Sequence, residues 1–236
     1  MLASFASEYG IEYPLLADEG SRVIEQFGIL NTLVLPDDPV YGIPYPGSYL
    51  VGEDGNITDK FFHRQYQVRE TGSTLLRSGF RLPVDLGGSP QSTAMAEGAR
   101  LSVTLGARDL KFMQRAELYV RIDLAEGQHV NGPETPTGYF PTEVLVTGPA
   151  GLRVEEPRYP ATKPFRVQGL SEEFQVLDSD VEIVVPLVSA IREVDSIPIE
   201  IEVRYQVCDE RECFLPQTER LRLDVPLGQL TRPQQR

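Results

Sequence analysis

The chain has no tryptophan, two histidines (His63 and His129) and two cysteines, Cys208 and Cys213, in 236 residues. These scarcities narrow the chemistry. An ordinary metal site needs three or four clustered ligands, and two cysteines without a CxxC pair or an HxxxH helix fall short, so no metal or other cofactor is expected and zinc is only a residual alternative. No apolar run reaches the ~18 to 20 residues of a membrane helix, so the chain is not expected to span a bilayer itself. The opening residues, MLASFASEYGIEYPLL, have neither the basic n-region nor the apolar h-region of a signal peptide. Basic residues are also in deficit, 22 against 35 acidic, for a net charge of −13. Phosphate binding is driven by Lys and Arg displacing counterions, so nucleic acid is excluded as a partner. No G-x-S-x-G elbow is present, which leaves a hydrolase unsupported.

What remains is a globular chain with 41% hydrophobic residues, enough for one or two cores. The first third alternates helix and strand. Ser4 to Tyr9 ends a helix at Gly10, Tyr13 to Leu16 is expected to be a short strand, and Asp18 to Ser21 offers N-cap oxygens to a helix through Val23, Ile24 and Phe27 that Gly28 stops. Ser48 to Val51 and Ile57 to His63 flank the turn Glu53-Asp54-Gly55-Asn56, and Thr71 to Arg77 suggests a last helix. Residues 82–96, rich in Pro, Gly, Ser, Thr and Gln, read as a linker.

Beyond it the period becomes two. Leu118, Val120, Ile122 and Leu124 alternate with polar neighbours, as do Val181 to Leu187, Ile197 to Val207 and Leu221 to Leu227. Turn clusters separate these stretches, and an immunoglobulin-like antiparallel β-sandwich is their natural packing. The expected organisation is an incomplete α/β segment over 1–81, the linker, an all-β sandwich over 97–228 and a tail over 229–236.

Two resemblances follow from particular motifs. SFASEYGIEYPLLAD, SRVIEQFGIL and GIPYPGSYLVGEDGNI resemble the C-terminal half of a peroxiredoxin-like (redoxin) domain of the thioredoxin fold, with Pro46 at the position of the cis-proline that faces the active site in such proteins. Such domains begin with a strand, a Cys-bearing helix and another central strand, which are absent here, and residues 1–207 contain no cysteine. This segment therefore cannot run thiol chemistry. The missing strands also lead us to expect that the chain is the C-terminal part of a longer protein or begins at a misplaced Met1, since an uncovered sheet edge is otherwise left.

From about Leu101 to Leu227 the chain resembles the N-terminal domain of the thiol:disulfide interchange protein DsbD and its relatives. The resemblance is carried by LAEGQHVNG, GYFPTEV, Arg158 to Pro160, Glu172 to Phe174 and above all VRYQVCDERECFLPQT. It implies a redox-active pair at Cys208 and Cys213 and a shielding cap at Phe174, and it favours Cys213 as the partner-facing cysteine, although the residues themselves do not say which cysteine is attacked first. It also implies a periplasmic or extracytoplasmic setting linked to cytochrome c biogenesis. The implied partners are thioredoxin-like redox proteins or a membrane electron-transfer protein. Tyr205, Gln206, Phe214 and Pro216 are candidates for the site rim.

Parity adds an argument from the residues. If Ile197 to Val207 is one unbroken strand with odd positions inward, Cys208 lies on the outer face with Arg204 and Gln206 and should be reachable. Asp209, Glu210, Arg211 and Glu212 between the cysteines disfavour a strongly activated thiolate and suit a relay disulfide attacked by a partner's thiol. His129 and His63 are expected to be hydrogen-bonded surface residues, with a base near the thiols the lesser reading for His129. Tyr139, Phe140, Tyr159 and Tyr205 are expected to be core or rim aromatics. The rival function is a noncatalytic β-sandwich binding module with a structural disulfide. Whether the chain is itself a protein-disulfide reductase or a relay domain without a reaction of its own, the sequence leaves open.

Overall fold

The structure, a computed structural model, describes residues 2–166 and 173–229. The expected tail beyond Gln229, and Glu172 of the Glu172 to Phe174 motif, lie outside the described residues. The chain divides into two units, one of described residues up to Val68 and the other Arg69–Gly228.

In the first unit α1 (Leu2–Tyr9) stops at Gly10, whose φ of 63° is one that glycine adopts without strain. The carboxylate of Asp18 accepts the Val23 and Ile24 N–H groups at 3.1 and 2.9 Å at the head of α2 (Arg22–Gln26), and these bonds hold it below its ordinary pKa. Strands β1 (Gly47–Val51) and β2 (Ile57–Phe62) form a hairpin. Tyr49 stacks on Phe62 at 4.9 Å and on Phe27 at 5.4 Å, fastening the hairpin to the end of α2. Two expectations fail here. Tyr13 to Leu16 is not a strand: Pro14 lacks an N–H, no strand pairs with the segment, and Leu16 is 90% exposed. Nor is Pro46 a cis-proline, because the described residues contain no cis peptide bond. No cysteine lies in this unit for such a proline to face.

The second unit begins earlier than composition suggested. Strand β3 (Arg69–Glu70) runs parallel to the start of a central strand, and α3 (Gly72–Thr74) follows, its first turn capped by the Thr71 hydroxyl accepting the Thr74 N–H at 3.1 Å. The second half of the segment read as linker is strand β4 (Gln91–Ala96). Its composition hid it, because an edge strand whose inward positions are Ser92, Ala94 and Ala96 carries little apolar signal.

There follow β5 (Ala99–Leu105), β6 (Gln114–Leu124), β7 (His129–Asn131), β8 (Glu143–Thr147), β9 (Leu152–Val154) and β10 (Lys163–Arg166). The last are β11 (Glu173–Asp178), β12 (Val181–Ser189), β13 (Ser196–Tyr205), β14 (Val207–Cys208) and β15 (Gln217–Pro226). One sheet has the order β4-β5-β6-β12-β9, with β3 beside β6, and a second has the order β15-β13-β8. Leu118, Val120 and Ile122 of β6, Ile183 and Val185 of β12, and Ile197 to Tyr205 at odd positions of β13 bury themselves between the two sheets. This is the antiparallel β-sandwich that the alternation implied.

The outer face of β6 is also covered. Glu117 is fully buried there, and its carboxylate accepts hydrogen bonds from the Ser78 hydroxyl at 2.6 Å, the Tyr119 hydroxyl at 2.9 Å and the Arg158 guanidinium. A buried carboxylate is tolerated only when its lone pairs are so occupied. Burial and the neighbouring Glu117 charge push the Tyr119 phenol above its ordinary pKa.

Candidate functional site

A further sheet of the second unit, built of four short strands, has the order β10-β11-β7-β14. It has two distinct faces. Val130, Leu177 and Val207 point into the sandwich core, and the alternate positions point away from it. Those alternate positions include Lys163 and Phe165 of β10, Phe174, Val176 and Asp178 of β11, His129 and Asn131 of β7, and Cys208 of β14.

Cys208 reaches this face because the chain changes sheets. β13 ends at Tyr205 and β14 begins at Val207, so Val207 and Cys208 pair with β7 instead of continuing beside β8 and β15. Gln206 spans the break, its side-chain amide donating to the Phe214 carbonyl at 2.9 Å. Cys208 and Cys213 are disulfide-bonded and face each other as antiparallel partners with Cα atoms 3.9 Å apart. The Phe214 N–H donates to the Val207 carbonyl at 2.8 Å and the Asp209 N–H to the Glu212 carbonyl at 2.9 Å. Asp209 closes the loop by accepting the Arg211 and Glu212 N–H groups at 2.7 and 2.8 Å, and these bonds hold its carboxyl below the ordinary range.

The two sulfur-bearing residues differ in access. Cys213 is exposed, whereas Cys208 is 4% exposed. The parity argument put Cys208 on the face turned from the core, and it is there, but it is not reachable as that argument expected. The outer face at this point is the wall of a pocket of about 220 Å³, lined by Cys208 to Cys213 with His129, Asn131, Tyr139, Phe165, Phe174 and Gln206. Phe174, 4% exposed, meets Tyr139 edge-on with ring centroids 4.6 Å apart. Phe165 stacks on the His129 ring at 4.2 Å. Asn131 donates to the Phe140 carbonyl at 2.9 Å and so ties β7 to the loop that carries Tyr139.

Of the positions singled out from sequence, Phe174, Gln206, Cys208 and Cys213 line one pocket, and Tyr205, Phe214 and Pro216 do not. Tyr205 is fully buried in the core, its hydroxyl 3.2 Å from the Gln217 amide oxygen and its pKa pushed up to about 12 by burial and the Glu219 charge. Phe214 packs toward Gly98 and the core. Pro216 is exposed and outside the pocket lining. His129 corrects the expectation of a surface histidine: it is 6% exposed, and burial lowers its pKa against the opposing pull of Asp178 and Asp209. His129, Asn131 and Phe165 were not among the chosen site residues. Strands of two to four residues give too little alternation to show which side chains share a face.

Among the described residues no group of three or more His, Cys, Asp or Glu is placed to hold a metal ion. No described helix is long and apolar enough to cross a membrane. The chemistry the pocket can support is exchange at a disulfide with one open end.

Residues 107–225, just over half of the chain, match the family model for the N-terminal domain of the thiol:disulfide interchange protein DsbD. The chain belongs to this family. Residues 1–60 match the AhpC/TSA family, in line with the redoxin-like reading of the first unit. A search of curated proteins returns no match. Among solved structures, the N-terminal periplasmic domain of ScsB from Proteus mirabilis is 13% identical, with 59% of this chain and 52% of that one covered and a TM-score of 0.42. The chain thus spans about half the length of that relative. The reduced DsbD N-terminal domain of Neisseria meningitidis is 17% identical, covering 66% of this chain and 98% of that one at a TM-score of 0.33. The same domain in a complex with the PilB N-terminal domain is 18% identical, with 65% and 94% covered and a TM-score of 0.34.

Proposed function

We propose that this DsbD-family domain relays electrons by thiol-disulfide exchange between its Cys208–Cys213 bond and a thioredoxin-like partner. The observation that carries the reading is the difference in access across the bond: Cys213 stands open to solvent while Cys208 lies within an aromatic-lined pocket. Exchange requires in-line approach to one sulfur and departure of the other. An incoming thiolate therefore attacks Cys213 and displaces Cys208. Phe174, buried in the wall of the same pocket, is the shield in this reading for the Cys208 side of the bond, and it moves aside as Cys208 is released. The family relationship is consistent with an extracytoplasmic compartment, where a disulfide formed between encounters is not reduced at once by the cytosolic thiol pools.

The test is a pair of single variants. Cys208→Ser, which keeps the open cysteine, is expected to accumulate a mixed disulfide with a thioredoxin-like protein, and Cys213→Ser is not. The wild-type bond is expected to be reducible at glutathione potentials, above the roughly −300 mV below which structural disulfides lie. If both variants fold, neither forms a mixed disulfide and the wild-type bond resists reduction, the bond is structural and the binding-module reading takes over.

A further inference from the structure

The small sheet brings three chemically complementary residues into one row. Asp178 of β11 is paired with His129 of β7, and His129 is paired with Cys208 of β14. Directly paired residues of antiparallel strands project to the same side with Cβ atoms about 4.5 to 5.5 Å apart, within reach for side chains of these lengths. A carboxylate, an imidazole and a sulfur thus follow one another across three adjacent strands. The imidazole is held by Phe165 stacked at 4.2 Å, and it lines the same pocket as the disulfide. Nothing in the relay reading uses this histidine.

We propose that His129 is the proton partner of Cys208, oriented by Asp178, and that it serves the sulfur that leaves when the disulfide opens. The inference rests on the relay reading and deepens it. A thiolate of the reduced partner dithiol attacks the Cys213 sulfur, forming the mixed disulfide and breaking the Cys208–Cys213 bond. The electron pair of that bond goes to the Cys208 sulfur, which takes a proton from His129, and His129 recovers one from solvent. The partner's second thiolate then attacks its own sulfur in the mixed disulfide, closing the partner disulfide and releasing Cys213 as a thiolate that is protonated by water. Two electrons and two protons reach the pair, and the partner is left oxidised.

The need for such a group follows from the setting. Cys208 is the buried end, so its leaving thiolate is formed where hydration is poor, and the loop beside it carries Asp209, Glu210 and Glu212 against Arg211 alone. Burial in such surroundings raises the cost of a thiolate unless a proton is delivered to it. The groups bearing on His129 are Asp178, itself paired with Lys163 at 2.7 Å, and Asp209, with Glu210, Arg211 and Glu212 on the same pocket wall and Glu126 and Asp180 along the adjoining cleft. Burial outweighs these carboxylates and keeps the imidazolium form to the acid side of an ordinary histidine.

The test follows reduction of the oxidised full chain by dithiothreitol across pH 5 to 9, with each rate divided by the concentration of dithiothreitol thiolate. For wild type the corrected rate is expected to fall as pH rises through the His129 titration, which lies below the ordinary ~6.5, because the protonated donor is lost there. His129→Phe, which keeps a ring on Phe165, is expected to show a flat profile and reduction roughly tenfold to a hundredfold slower at pH 5. His129→Gln, which keeps an N–H donor but does not titrate, is expected to recover part of the rate with a profile that is still flat. Asp178→Asn is expected to move the inflection to lower pH, since the Asp178 charge supports the imidazolium. An inflection that persists in both His129 variants, or in whichever of them folds, overturns the assignment. A wild-type disulfide that dithiothreitol cannot reduce at any of these pH values overturns the relay reading itself, which separates the two failures.

Discussion

Glu117 shows how a single side chain can carry a covered face of a sheet. Its carboxylate is fully buried and gathers three donors from Ser78, Tyr119 and Arg158. Glu117→Ala removes the acceptor of all three, and a loss of about 3 kcal/mol is expected in urea denaturation, because buried hydrogen-bonding groups then lack this partner. Arg158→Ala should cost less, about 1 kcal/mol, since half of that side chain is in water and its charge is screened. Equal losses for the two would show that the network is not organised around the carboxylate. Phe174 is the corresponding residue at the disulfide. Phe174→Ala should open the buried Cys208 end to glutathione as well and make reduction several-fold faster, and an unchanged rate in the folded variant would remove this ring from the shield.

Among the elements, the hairpin between the cysteines is sensitive to acid. Asp209 has its pKa depressed by the N–H groups of Glu212 and Arg211, so its support for the loop is present above the unfolded carboxyl value of about 3.9 and is lost as pH falls through the lower folded value. Hydrogen exchange should show the Arg211 and Glu212 amides protected near neutrality and losing protection on acidification, with Asp209→Ala unprotected throughout. Behind the hairpin, Gly98 turns β4 into β5 with φ of +77°, and a Cβ there would stand 3.0 Å from the Phe214 ring. Gly98→Ala is therefore strained in backbone and crowded in packing, and a loss of about 1 to 3 kcal/mol is expected in thermal or urea unfolding.

The same elements explain what sequence could reveal. β6, β12, β13 and β15 are nine to eleven residues long, so their alternation declares a buried face, and the sandwich was legible from them. The cysteine pair was legible from its motif. The row through Asp178, His129 and Cys208 was not, because pairing across strands separated by many residues leaves no local trace. Gln206 was decisive in the same way: a one-residue break moves Cys208 into another sheet, and no periodicity within Ile197 to Val207 announces it. Tyr13 to Leu16 erred in the opposite direction, since local apolar character without a pairing partner does not make a strand.

For the molecule as a whole, the division at Val68 makes a prediction about folding. Residues 69–79 belong with the sandwich: β3 pairs with β6, Arg77 pairs with Glu182 at 2.8 Å, and Ser78 reaches Glu117. A fragment of residues 69–229 should fold and form the Cys208–Cys213 bond. One of residues 88–229 should melt at a clearly lower temperature, because it keeps every strand from β4 onward but uncovers the outer face of β6. Equal melting temperatures would place 69–79 with the first unit instead.

The uneven access across the disulfide also governs encounters between identical molecules. The two cysteines of these 236 residues have one pairing between them, so within this stretch oxidation yields no disulfide isomers. Any covalent dimer that does form must be joined at the open end, Cys213 to Cys213, and a link between the same residue of both copies is compatible with a two-fold axis. Such a dimer would leave Cys208 of each copy a free thiol at the joint, well placed to break the link and release both monomers.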